Sequence, residues 1–206
     1  MDKKDLTPEE SFDIIKKAIA NFKMNYKESA KVFLLWGWIL TFACISNFII
    51  LKILKSKDAL ELTVGNWELT GLFIIGNWIV FGLIGFIILF FMERKINEDK
   101  KVFSILESCN RKLWWVTAAA FFVAIFLCVK LGIAPPPIML LIAGIATTTS
   151  GLLIKFRPLI IGGISFFIFS IATTFVSNEY IALITGAAII CGYLIPGYLL
   201  KSAKEE

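Results

Sequence analysis

Histidine is missing from all 206 residues. Its absence removes the commonest general base and metal ligand, and argues against a protease, a metalloenzyme or a histidine proton relay. Cysteine is scarce: Cys44, Cys128 and Cys191 fall in apolar runs and Cys109 in a charged connection. No two have the spacing of a redox or zinc site, so neither a structural disulfide nor a metal is expected. Ionisable residues are also lacking well inside the apolar runs, where membrane enzymes and ion-coupled carriers keep them. Cys109, although Arg111 and Lys112 lie beside it, has no evident base to activate it as a nucleophile. The chain is read as a non-enzyme without cofactor.

What is present is apolar length. A hydrocarbon core of about 30 Å takes about 20 helical residues. Six runs meet that requirement, at 32–53, 68–92, 113–129, 137–154, 158–176 and 180–200. They are continuously apolar and longer than the alternating strands of a barrel, so the predicted fold class is all-α, a six-span transmembrane helix bundle. Residues 1–31 precede it, residues near 100–110 supply a short helix between spans, and 201–206 form a tail.

Basic residues fix the orientation. Of 21 Lys and Arg, all but Lys52, Lys55, Lys57 and Lys130 fall in the N-terminal segment, the second and fourth connections and the tail. The positive-inside rule then places both termini in the cytoplasm. The net charge of +5 reflects that bias and the anionic bilayer surface, so no nucleic-acid partner is expected. The first thirty residues are polar and no small-residue cleavage site follows them, so the first span reads as an anchor and not as a signal peptide.

The N-terminal segment reads as a helix. Thr7-Pro8-Glu9-Glu10 has the form of a capping box with proline at the first helical position. Behind it Phe12, Ile15, Ile19, Phe22 and Tyr26 recur at spacings of three and four and share one stripe. That stripe suits a helix lying along the inner leaflet or folded back on its bundle, and equally one that docks on a protein or a second copy. Its seven lysines are nearly balanced by acids, unlike a dedicated lipid-binding helix. A brief second helix around Val102, Phe103, Leu106 and Cys109 would be available to pair with it.

Within the spans, small residues mark expected helix contacts, because lipid tails give helices no hydrophobic reason to associate. Gly71, Trp78, Gly82 and Gly85 lie near one face of the second span. Ala143, Thr147 and Gly151 repeat in the fourth, and Ala182, Gly186, Ala188 and Gly192 in the sixth. Lys155-Phe156-Arg157 is short enough for a tight hairpin, with Pro158 in the first turn of the fifth span and Gly162-Gly163 permitting close approach. Lys155 and Arg157 are candidates to hold lipid phosphates or an anionic ligand. Pro196-Gly197 predicts a kink or fraying in the sixth span.

The deep polar groups are neutral. Asn47 and Asn77 either hydrogen-bond between helices or line a polar path, and Thr147, Thr148, Thr149 and Ser150 either bond back to their own helix or coordinate an ion. Trp36, Trp38, Trp114 and Trp115 fit the membrane interface.

Glu10-Ser11-Phe12-Asp13-Ile14-Ile15, Phe33-Leu34-Leu35-Trp36-Gly37-Trp38, the run from Ser150-Gly151 through Lys155-Phe156-Arg157-Pro158 to Gly162-Gly163, and Ile195-Pro196-Gly197-Tyr198 together resemble an uncharacterised family of small bacterial six-span membrane proteins. The resemblance implies an inner-membrane location and an amphipathic N-terminal helix leading into a bundle, and it supplies no catalytic residue. Two function classes fit: a regulatory or scaffold subunit engaging its partner through the N-terminal stripe, and a small-solute transporter or channel with a neutral polar path. Six spans could form two inverted sets of three, but the halves show no convincing match.

Overall fold

The computed structural model describes residues 8–54, 67–99 and 105–202, with side chains described for 29–54, 71–95, 108–177 and 180–202. Thr7, Val102 and Phe103 lie outside the described residues, as do the side chains of Leu106 and of the N-terminal stripe. The described chain is helical, and six of its helical stretches are long and apolar enough to cross a membrane. The elements are α1 (Pro8–Leu54), α2 (Trp67–Asp99), α3 (Ile105–Leu131), α4 (Pro135–Ile154) and α5 (Arg157–Ala172). A 3₁₀ turn (Thr173–Phe175) and α6 (Asn178–Ile189) follow, then a π turn (Ile190–Leu194) and α7 (Ile195–Ser202).

Two separate short helices expected from the sequence do not form as such. The N-terminal segment and the first span are one helix, α1, of 47 residues. After Pro8 the chain meets no further proline or glycine until Gly37, so nothing in the sequence interrupts its hydrogen-bond ladder. Residues 105–112 likewise form the first turns of α3. An uninterrupted helix cannot turn back on its own bundle, which removes the folded-back arrangement of the N-terminal segment.

The hairpin between α4 and α5 is built as expected. Lys155 adopts the left-handed conformation, φ 57°, its N–H bonding to the Leu152 carbonyl, while Phe156 N–H reaches the Gly151 carbonyl at 2.9 Å. These are the two bonds of a Schellman turn. Pro158 then starts α5 in its first turn. Gly132, φ 65°, ends α3 with the longer-range of these two bonds, from Ile133 N–H to the Cys128 carbonyl at 3.0 Å.

Glycines set the spacing. A Cβ on Gly163 would collide with Thr148 Oγ1 and sit 2.5 Å from the Thr148 backbone nitrogen; one on Gly151 would sit 2.8 Å from the backbone nitrogen of Ile160. Gly162, one position from Gly163 and so about 100° around the helix, faces the sixth span instead, 2.9 Å from the Gly192 carbonyl oxygen by the same measure. The adjacent glycines therefore let α5 approach two neighbours at once. The remaining order of contact is α2 on α1, α1 on α6 and α7, these on α5, α5 on α4 and α4 on α3. Phe33 of α1 and Trp114 of α3 close the circuit, with ring centroids 5.8 Å apart.

The second span is the exception. Gly71, Gly76 and Gly82 have nothing within 4 Å of an added Cβ, and only Gly85 of the expected glycine face is covered, by the Trp36 ring. Of its most apolar window 6% is buried, against 56% in the sixth span. The expectation that Gly71 and Gly82 make helix contacts is thus corrected: α2 meets α1 along a stripe through Asn77 and Gly85 that leaves them at its margin.

Gly163→Ala is expected to destabilise the bundle by about 1–3 kcal/mol through overpacking. Gly71→Ala is expected to be neutral or to gain up to about 1 kcal/mol from helix propensity. Thermal unfolding of both variants in detergent checks the contrast.

Candidate functional site

Besides Ser170 Oγ, which donates from α5 to the Pro137 carbonyl of α4 at 2.7 Å, two polar clusters join helices. On α1, Ser46 Oγ donates to Asn77 Oδ1 of α2 at 2.8 Å, and Asn77 Nδ2 donates to the Ala43 carbonyl at 3.0 Å. Asn77 is 9% exposed, and both ends of its amide are thereby occupied. It holds an otherwise peripheral span to α1. Asn47, one turn beyond Ala43 and 8% exposed, differs: its Oδ1 is buried without a hydrogen-bond partner among the described residues.

The second polar cluster lies toward the end of the bundle that carries Lys155 and Arg157. Trp114 Nε1 donates to Ser150 Oγ at 3.1 Å, and Ser150 Oγ donates to Asn110 Oδ1 at 2.6 Å. This relay ties α3 to α4. Sequence reasoning placed Asn110 in an external connection and missed it. The signal was present, since Asn110, Trp114, Thr117, Phe121, Ala124 and Cys128 recur at alternating spacings of four and three, a seam that starts before the apolar run.

The other hydroxyls mostly serve their own helices. Thr41, Thr117, Thr149 and Thr185 bond to the carbonyls of Gly37, Leu113, Ile145 and Ile181, each four residues earlier. Such back-bonding is the alternative to ion coordination expected for this residue type. Thr147 is buried beside Tyr193. Thr148 Oγ1 is buried against Gly163 with no hydrogen-bond partner among the described residues. Thr147, Thr148 and Ser150 consequently point to three different surroundings and form no common coordination shell.

Tyr193 is the node of the aromatic core, with ring centroids 4.9 Å from Phe166, 5.9 Å from Phe33 and 6.4 Å from Trp114. Rings this close are packed on one another, in the range of direct aromatic pairing. Lys155 and Arg157 are exposed on the α4–α5 turn. An open cleft of about 400 Å³ separates α1 from α2, lined by Phe42, Ile45, Ser46, Ile49, Ile50 and Phe81. Its one polar side chain, Ser46, is already bonded to Asn77.

The contacts of α1 with the sixth span are the most extensive that join distant parts of the sequence. Gly37 admits Leu194, whose Cδ2 would lie 2.6 Å from an added Cβ; Gly197 faces Leu34 at 3.1 Å by the same measure. Trp38 Nε1 donates to the Tyr198 hydroxyl at 3.0 Å. The helix that carries the N-terminal stripe is therefore seated, at its entry to the bundle, directly on residues 193–198. The chain matches no protein-family model, no curated protein and no solved structure.

The two asparagines should separate in a stability assay. Asn77→Leu removes an interhelical bond and is expected to cost about 0.6–1.7 kcal/mol. Asn47→Leu removes an unpaired buried oxygen and is expected to be neutral or stabilising. Equilibrium unfolding in mixed detergent micelles measures both.

Proposed function

We propose that this chain is a non-catalytic integral membrane protein of the bacterial inner membrane, with both termini in the cytoplasm. In this reading it acts as a regulatory or scaffold subunit of a membrane-associated system. The observation that carries the reading is the continuity of α1. Residues 8–28 extend about 30 Å at 1.5 Å per residue, and the same helix enters the bundle at Ala30, Phe33 and Gly37, all buried. A partner bound on Phe12, Ile15, Ile19, Phe22 and Tyr26 would act on the core without an intervening joint.

The surrounding features support an anchor more than a conduit. Asn77 and Ser150 are occupied by interhelical bonds, and the threonines Thr41, Thr117, Thr149 and Thr185 are bonded to their own helices. Lys155 and Arg157, exposed at the turn, suit contact with lipid phosphates at the inner surface. The alternative, a small-solute transporter or channel, is favoured by the buried oxygens without a hydrogen-bond partner among the described residues, Asn47 Oδ1, Thr147 Oγ1 and Thr148 Oγ1. Labelling of Asn47→Cys by a water-soluble maleimide, in a chain without its native cysteines, would support that alternative.

The test of the subunit reading is affinity purification from native membranes in mild detergent, comparing the natural chain with Ile15→Glu/Ile19→Glu. The expected result is a co-purifying protein in near-equal amount with the natural chain and its loss from the variant. Recovery of the same proteins with both chains would contradict a role for the stripe.

A further inference from the structure

The sixth span is broken at one place. Ile195 N–H bonds to the Ile190 carbonyl, five residues back, so 190–194 form a π turn directly before Pro196. Proline has no N–H to offer, so the Gly192 carbonyl lacks the donor that an α-helix would bring to it. The carbonyl oxygens of Gly192 and Cys191 instead face Gly162 of α5, 2.9 and 3.3 Å from the position of an added Cβ. Closing the turn to the α register would still leave the Gly192 carbonyl without a bond from residue 196. The backbone gain that ordinarily eliminates a π turn is reduced at this position, and packing decides the register.

The turn itself is packed by α5, through Gly162 and Phe166, and by α1, while the segment beyond it, 195–202, rests mainly on α1. Phe33 meets Tyr193 within the turn, Gly37 accommodates Leu194 at its end, and Leu34 and Trp38 meet Gly197 and Tyr198 beyond it. Removing the extra residue of a π turn rotates everything after it by about 100° relative to everything before it. Gly197 and Tyr198 would then leave Leu34 and Trp38, and Lys201, in the last turn of α7, would point elsewhere.

We propose that the turn 190–194 is a register switch in the sixth span: the seat of 195–202 on α1 and the N–H that Pro196 lacks together hold the π register, and loss of either releases the turn to the α register and rotates 195–202. The switch rests on the preceding reading for what displaces α1, while its own test needs no partner.

Cysteine pairs report the two sides of the turn. Gly186 lies before it, where an added Cβ is 3.4 Å from Cys44 Cβ, close to the separation of about 3.5–4.5 Å found in disulfides. The pair Cys44 with Gly186→Cys therefore reports α6. The pair Leu34→Cys with Gly197→Cys reports α7, since Gly197 packs on Leu34. Each pair is placed in an otherwise cysteine-free full-length chain in lipid nanodiscs, oxidised mildly, and compared with and without Pro196→Ala, which restores the missing N–H and favours the α register. The expected result is that both pairs cross-link in the parent and that Pro196→Ala lowers the 34–197 rate at least tenfold while the 44–186 rate is unchanged. Two results would overturn the switch: equal 34–197 rates with and without Pro196→Ala, or loss of both cross-links together, which would mean that the span moves as one body. Failure here leaves the pull-down outcome untouched, and failure of the pull-down leaves the cross-linking outcome untouched.

Discussion

In a bilayer, apolar side chains gain nothing by leaving lipid for one another, so helices associate where their backbones can come close enough for dense van der Waals contact and interhelical hydrogen bonds. The bundle depends on that constraint at α5. Gly162 and Gly163 bring the backbones of the sixth span and of α4 against two faces of one helix about 100° apart, and Gly151 and Gly192 supply the matching hollows, the latter filled by the ring of Phe166. Around this contact the aromatic node of Phe33, Tyr193, Trp114 and Phe166 draws in α1 and α3. The polar bonds at Asn77 and Ser150 then attach the two peripheral spans, which backbone approach alone leaves loosely held.

Function enters through the element that has to satisfy both environments. Over residues 8–28 the sequence of α1 combines one apolar stripe with charged residues, and from Ala30 onward it is a membrane helix with buried Phe33, Gly37, Ala43 and Cys44. Its membrane half meets the sixth span where that span is irregular, at the π turn and the residues that follow it. The proposed subunit role and the proposed switch both draw on this geometry, one on the arm and the other on its seat.

Much of this was legible in the residues. Six apolar runs gave six spans, Lys155-Phe156-Arg157-Pro158 gave the tight hairpin, and Gly162-Gly163 gave the close approach of α5 to α4, because each is a local property of composition and length. Other features depended on neighbours. Gly71 and Gly82 look like contact residues by spacing, yet whether a glycine face is covered depends on where another helix lies. Two helix boundaries were drawn at the edge of hydrophobicity, near residues 31 and 112, although a helix continues through a change of polarity when no proline or glycine stops it. Pro196-Gly197 announced an irregularity, and only packing against Gly37 and Gly162 shows that it takes the form of a π turn. The pairing of Asn77 with Ser46, and of Ser150 with Asn110, joins residues 31 and 40 positions apart, beyond any periodicity.

The claim on which the rest stands is that the N-terminal arm and the first span are one rigid helix. Pulsed electron–electron spin resonance on the full-length chain in nanodiscs, with labels at Lys23→Cys and Ile49→Cys and the native cysteines replaced, measures this directly. The account predicts a single narrow distance distribution near 39 Å, the length of 26 helical steps at about 1.5 Å each. A broad distribution, or one centred well below that length, would show a joint between arm and span and would contradict it.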